Sequence, residues 1–152
     1  MNNKENLVVL LDLNYTLVQN STENRYTRPY KKKIRDEIYR EWLIRLIEDY
    51  YVILITARPD YQKKETISSM KEKLEGWMPT EMYFQEENDI PPVAKEKLLL
   101  KYIFPKHGRQ NNYLAIESNP KTKEMYKKYG IKSVSVYDEE GLELRKILQQ
   151  GV

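Results

Sequence analysis

An aspartate that directly follows an apolar run, with a bend and a hydroxyl residue close behind, can present its carboxylate to phosphorus as a nucleophile. Asp12 meets that description: it closes the run LVVLL (Leu7 to Leu11) and opens the segment DLNYT, which ends at Thr16. A second hydroxyl, Thr56, closes the next apolar run, YVILI (Tyr51 to Ile55), where its hydroxyl and backbone amide can hold a phosphoryl oxygen. Such a site also needs a cation to offset the charge that builds on the transferring group, and a lysine on a following helix would serve. A carboxylate after a later strand could hold Mg²⁺, a hard cation that prefers oxygen ligands.

Composition removes the competing chemistries. The chain has no cysteine and a single histidine, His107, which excludes disulfides, thiolate metal sites, cysteine nucleophiles and any histidine cluster. His107 falls in the polar stretch PKHGRQNN and reads as a surface residue. With 152 residues, 40% of them hydrophobic, the chain suits one core, so residues 1–152 are expected to form a single domain. No run approaches the roughly 18 to 20 apolar residues that cross a bilayer. The polar start MNNKEN lacks the layout of a signal peptide, so a soluble, cytoplasmic protein is expected. The net charge of +3 permits an anionic partner without demanding one. Thirteen tyrosines offer many aromatic faces with polar tips, suited to stacking on bases and equally to half-buried structural positions.

The elements that must position these groups follow from hydrophobic periodicity. Short apolar runs at Leu7 to Leu11, Tyr51 to Ile55, Glu81 to Gln85, Tyr113 to Ile116 and Ser133 to Tyr137 read as strands. Helical patterns lie between and after them, over Asp36 to Glu48, Tyr61 to Leu74, Val93 to Phe104, Thr122 to Tyr129 and Glu139 to Gln149. Alternating strand and helix predicts an α/β fold, a single doubly wound parallel sheet of about five strands with right-handed crossovers. Ligands in such sheets bind at the carboxyl ends of the strands. Asp12, Thr56, Glu117 and the loop QEENDIPP (Gln85 to Pro92) all follow strands and so converge on one edge.

Four stretches in order carry a family resemblance. LLDLNYTLV resembles the first signature (Asp-x-Asp-x-Thr) of the haloacid dehalogenase-like (HAD) superfamily, and LITAR the second. VAKEKLLLKYIFP and YLAIESNPKTKEMYKKYGI resemble the third and fourth, and look most like the 3′-phosphatase domain of phage-type polynucleotide kinases. The resemblance spans nearly the whole chain and implies a HAD or Rossmann-like sheet. It also implies Asp12 as nucleophile, Asn14 at the place of the general acid, and Lys95 as the motif lysine, with Lys97 as the alternative. Thr56, Ala57 and Arg58 take the place of the phosphate-binding turn. Glu117 and Ser118 stand where the family has paired metal aspartates, so that Asp12, the Asn14 carbonyl and Glu117 would be the ligands of Mg²⁺.

Two departures from the pattern bear on activity. The amide of Asn14 cannot protonate a leaving oxygen, and acid–base assistance is worth ~10²–10⁴-fold. At the fourth motif one carboxylate has become Ser118, and the other, Glu117, is one methylene longer than aspartate. With two negative charges removed, such a pocket would take an anion without metal more readily. The expected function is recognition of a phosphate on a nucleotide or nucleic-acid end, with hydrolysis weakened or lost. Sequestration of a signalling nucleotide by a phage protein in its host's cytoplasm is one form of this. An active Mg²⁺-dependent polynucleotide 3′-phosphatase or nucleotidase is the alternative. No cap domain is expected, only a short basic and aromatic flap at about residues 20–35. There Arg25, Tyr26, Arg28 and Tyr30 combine charge with stacking surface for nucleic acid or nucleotide, or form a solvated loop.

Overall fold

Strands that are apolar on both sides are stable in a parallel sheet only if helices cover both of its faces. The computed structural model, which describes residues 6–21 and 29–151, has this arrangement. Its strands are β1 (Val8–Leu11), β2 (Tyr51–Pro59), β3 (Glu81–Gln85), β4 (Tyr113–Ile116) and β5 (Lys132–Val134). All pairings are parallel, in the spatial order β3-β2-β1-β4-β5. The helices are α1 (Tyr30–Arg35), α2 (Glu41–Ile47), α3 (Lys63–Lys73), α4 (Pro91–Leu98), α5 (Phe104–His107), α6 (Pro120–Lys128) and α7 (Leu142–Gln150). A cap domain is not evident among the described residues, and no helix among them is long and apolar enough to cross a membrane.

Strand alternation divides the core in two. Val9, Leu11, Val52, Leu54, Leu114 and Ile116 face one side, where α2, α3 and α7 supply Leu43, Ile47, Met70 and Leu144. Val8, Leu10, Ile53, Ile55 and Ala115 face the other, against Leu98 of α4, Phe104 of α5, and Met125 and Tyr126 of α6. Each fully buried Leu or Ile contributes about 1.5–3 kcal/mol relative to exposure, so both layers hold the sheet firmly. The chain winds in one direction from β1 through β2 to β3, then in the other from β4 to β5. Neighbouring strands β1 and β4 therefore send their next segments to opposite sides, which opens a crevice at their carboxyl ends.

The last strand is shorter than expected, Lys132–Val134 against Ser133 to Tyr137, the second runs on to Pro59, and three helix boundaries shift for local reasons. The helix expected over Asp36 to Glu48 begins at Glu41, because residues before it are drawn into other bonds. Asn20 accepts from the Ile38 amide at 2.8 Å and donates to the Asp36 carbonyl at 2.9 Å, and Tyr39 makes a bridge with Val18. The helix expected over Val93 to Phe104 runs from Pro91 to His107 through a wide, π-type turn at Leu99–Ile103. Pro105 lies at its far end and has no N–H to give to the Lys101 carbonyl. The last helix starts at Leu142 rather than Glu139, since Glu139, Glu140 and Gly141 all have positive φ. Gly141 is required there twice over: its φ is +77°, and a Cβ would come within 2.5 Å of the Trp42 ring.

Candidate phosphate site

The crevice between β1 and β4 brings together Asp12, Lys95, Glu117 and Ser118. Asp12 follows β1 directly, and its amide donates to the Ile116 carbonyl at 3.0 Å, locking it to the end of β4. Behind it the chain turns tightly: Val18 donates to the Leu13 carbonyl at 2.9 Å, and Tyr15 takes φ +65°. That turn brings the Thr16 hydroxyl back to Asp12 Oδ2 at 2.8 Å. Ser118 donates to the same oxygen at 3.2 Å and lies 3.0 Å from Thr16 Oγ1.

Lys95 occupies the centre. It sits on α4 and is 2% exposed, and its Nζ donates to Asp12 Oδ1 and to Glu117 Oε1, each at 2.6 Å. The alternative lysine is placed elsewhere: Lys97 is half exposed and pairs with Glu87 at 2.5 Å and Asp89 at 2.8 Å. Burial pushes the Asp12 carboxyl up, but the Lys95 charge and hydrogen bonds from Glu117, Lys95 and Thr16 outweigh it, so Asp12 is held ionised. Glu117 goes the other way. Burial raises its carboxyl well above the usual range, Lys95 offsets only part of this, and the Asp12 charge raises it further. Lys95 itself is held charged: burial opposes this, and the charges of Asp12 and Glu117 overcome it.

Thr56 lies on the adjoining strand. Leu11 pairs with Leu54, which brings Thr56 to the same carboxyl edge as Asp12. The Thr56 hydroxyl accepts from the Arg58 amide at 3.0 Å. The pairing of β2 with β3 slips between Thr56 and Pro59, and the Gln85 amide bonds the Ala57 carbonyl, which fixes the bulged backbone. The Arg58 guanidinium is committed to protein groups. It meets both oxygens of Glu37, at 3.1 and 2.6 Å, the Thr66 hydroxyl at 2.9 Å and Asn14 Oδ1 at 2.6 Å. Arg58 is buried and matched in charge, and through it Asn14 is held in place.

The expected Mg²⁺ ligands do not make a metal site as they stand. Each oxygen of the two carboxyl groups already accepts a hydrogen bond from the protein: Asp12 from Lys95, Thr16 and Ser118, Glu117 from Lys95 and from the Ser118 amide at 3.0 Å. No group of three acidic or histidine side chains among the described residues could hold a metal. The position a cation would take between the carboxylates is filled by the Lys95 ammonium.

Of the flap residues, Tyr30 is described, at the start of α1 with its ring 5.3 Å from that of Tyr61 in an edge-on contact. Arg25, Tyr26 and Arg28 lie outside the described residues. Sequence reasoning misses Glu37, Arg40 and Tyr137. It finds Thr16 only as the end of the first motif, although its hydroxyl bonds the Asp12 carboxylate. Arg40 donates from Nε to the Thr16 carbonyl at 2.9 Å, and the Tyr137 hydroxyl bonds the Tyr15 carbonyl. Two surface grooves, of about 540 and 610 Å³, lie beside α2 and α3 and beside the loop after β3, and neither includes Asp12.

Comparison with known proteins identifies the fold. No family model and no curated protein matches the chain. Among solved structures, it is similar to a chain of the Pnkp1/Rnl/Hen1 complex, with a TM-score of 0.65 and 15% identity over 86% of this chain. The match covers 46% of that chain, so the present chain spans less than half its length. It is also similar to phosphoserine phosphatase in its apo form, with a TM-score of 0.53 and 14% identity, covering 94% of this chain and 98% of that one. The likeness is one of fold: a five-stranded parallel sheet with helices, of the HAD type.

Proposed function

We propose that this chain binds the phosphate of a nucleotide or nucleic-acid end between Asp12, Thr56 and Lys95, with hydrolysis weak or absent. One observation carries the reading. Position 14 holds an amide whose oxygen accepts a 2.6 Å hydrogen bond from the fixed Arg58 guanidinium. No proton can pass from it to a leaving oxygen, nor from water to it, which removes a contribution of ~10²–10⁴-fold to turnover. What remains is a buried ammonium and the hydroxyls of Thr16, Thr56 and Ser118, which an anion without Mg²⁺ would draw from their present partners. The resemblance of the third and fourth motifs to the 3′-phosphatase domain of phage-type polynucleotide kinases supports a nucleotide or nucleic-acid end as the carrier of the phosphate. Sequestering a signalling nucleotide is a role that such binding without turnover would allow.

A second reading, an active phosphatase, is favoured by the ionised state of Asp12, which is the form a nucleophile needs. Titration calorimetry and phosphate release with a 3′-phosphorylated oligonucleotide, in Mg²⁺ and in EDTA, separate the two. Binding in EDTA that Thr56→Val weakens, with release at least ~100-fold slower than from Asn14→Asp, is the expected result. Rapid Mg²⁺-dependent release by the unaltered protein, abolished in Asp12→Ala, would establish the active phosphatase instead.

A further inference from the structure

Beyond β5 the chain passes from the buried Val136 to Tyr137, which is 60% exposed yet fixed in position. Its hydroxyl bonds the Tyr15 carbonyl, in the turn between Asp12 and Thr16, and lies beside Ser118. The Arg40 guanidinium carbon stands 5.6 Å from the Tyr137 ring centre, close enough for a cation–π contact. Arg40 is held in turn by its hydrogen bond to the Thr16 carbonyl and by Trp42, whose ring centre is 5.9 Å away. Trp42 closes against Gly141 and lies 5.6 Å from Arg145, so arginine and aromatic groups alternate in a ladder that ends at the mouth of the crevice.

An exposed tyrosine ordinarily loses rotamer freedom when a ligand covers it, and that cost subtracts from affinity. Here the hydroxyl bond and the arginine contact have already removed this freedom. Among the described residues Arg40 forms no ion pair, in contrast to Arg58, whose charge Glu37 matches. A fixed aromatic surface beside an arginine, at the mouth of a phosphate site, fits a planar base joined to an anionic sugar-phosphate.

We propose that Tyr137 and Arg40 form the subsite for the nucleoside part of the ligand, with the base stacked on Tyr137 and the sugar-phosphate drawn toward Arg40. The assignment rests on the phosphate site at Asp12 and Lys95, and it makes the ligand a nucleotide, free or at the end of a strand, rather than a phosphorylated sugar or amino acid.

Titration calorimetry on the full chain tests it, with adenosine 3′-phosphate, a short 3′-phosphorylated oligonucleotide, ribose 5-phosphate and inorganic phosphate as probes. The two base-bearing ligands should bind about tenfold or more tightly than the two without a base. Tyr137→Leu should bring that ratio below about twofold, while Tyr137→Trp, which keeps a ring face, should retain most of it. The oligonucleotide and the free nucleotide separate the two sources of the base: preference for either over ribose 5-phosphate supports the subsite. Equal affinity for ribose 5-phosphate and both nucleotides, or a Tyr137→Leu effect of the same factor on all four probes, would overturn it while leaving the phosphate site standing. Binding of none of the four would overturn both.

Discussion

Two acidic clusters sit at opposite edges of the same sheet, and they handle charge in opposite ways. At the amino edge, Glu81 opens β3 and gathers donors from four directions. Oε2 accepts from the Tyr51 hydroxyl at 2.5 Å and contacts His107 Nε2 at 2.6 Å. Oε1 accepts from the Tyr83 hydroxyl at 2.5 Å and lies 3.2 Å from Lys106 Nζ. Burial pushes the Glu81 carboxyl up, but bonds from Tyr51, Tyr83, His107 and Lys106 bring it down to about 2. At the carboxyl edge, Asp12 and Glu117 share the ammonium of Lys95, and the two acids are driven apart: Asp12 is held ionised and Glu117 is pushed up. One carboxylate with donors to spare makes a tie. Two carboxylates on one cation leave a proton in the site.

Removing the shared cation should produce the largest effect. Lys95→Met leaves two buried carboxylates facing each other, and breaking a buried ion pair costs about 3–5 kcal/mol. Urea unfolding at pH 7.5 should show a loss of that size, with part of it recovered near pH 5 as the carboxyls take up protons. A loss below about 1 kcal/mol would mean that the charges at the two edges are not handled differently at all.

The amino-edge cluster should respond less, and its effect should fade only at a lower pH. Glu81→Gln removes the charge on which the four donors converge, at a cost of about 1–3 kcal/mol. Because the folded carboxyl titrates at about 2, below its ordinary value of 4.5, its contribution is fully present above pH 4.5 and is lost as the pH falls toward 2. Thermal melts from pH 6 to pH 2 should therefore converge for wild type and Glu81→Gln at the acid end. If the gap between them stays constant, Glu81 is a packing residue and the comparison fails.

Sequence pattern reveals one of these edges and conceals the other. The strands are legible because a run such as VVLL, apolar on both sides, has few alternatives in a chain of this size, and Glu81 to Gln85 and Tyr113 to Ile116 fall where expected. Asp12 is legible because it ends such a strand. The choice between Lys95 and Lys97 is not: two residues on a helix are about 200° apart, and only packing against β1 and β4 decides which side turns inward. Arg58 reads in sequence as part of a phosphate-binding turn, but its partner Glu37 lies in a stretch whose periodicity suggests a helix. Tyr137 reads as the end of a strand, which hides its place at the site mouth. The cluster around Glu81 joins four elements through side chains that no local pattern connects, and His107, one of them, has the sequence surroundings of a surface residue.

The smallest effect separates the two edges most sharply. Glu117→Gln keeps an acceptor for Lys95 and leaves one ammonium facing one carboxylate, Asp12. Folding raises the Glu117 carboxyl, so the folded protein holds a proton that the unfolded chain releases above its ordinary value of 4.5. Wild-type stability should therefore fall as the pH rises from 4.5 toward the folded value, a loss that glutamine cannot suffer. Near pH 5 the variant should match wild type or be slightly less stable. By pH 8.5 it should be more stable, by an amount on the order of 1.4 kcal/mol, the free energy of a tenfold change in proton affinity. Chemical denaturation at the two pH values measures the difference. The sign is opposite to that at Glu81, where the charged form is the stabilising one. A Glu117→Gln variant that loses stability with rising pH as wild type does would mean that Glu117 is already ionised beside Lys95, and that both edges are simple ties.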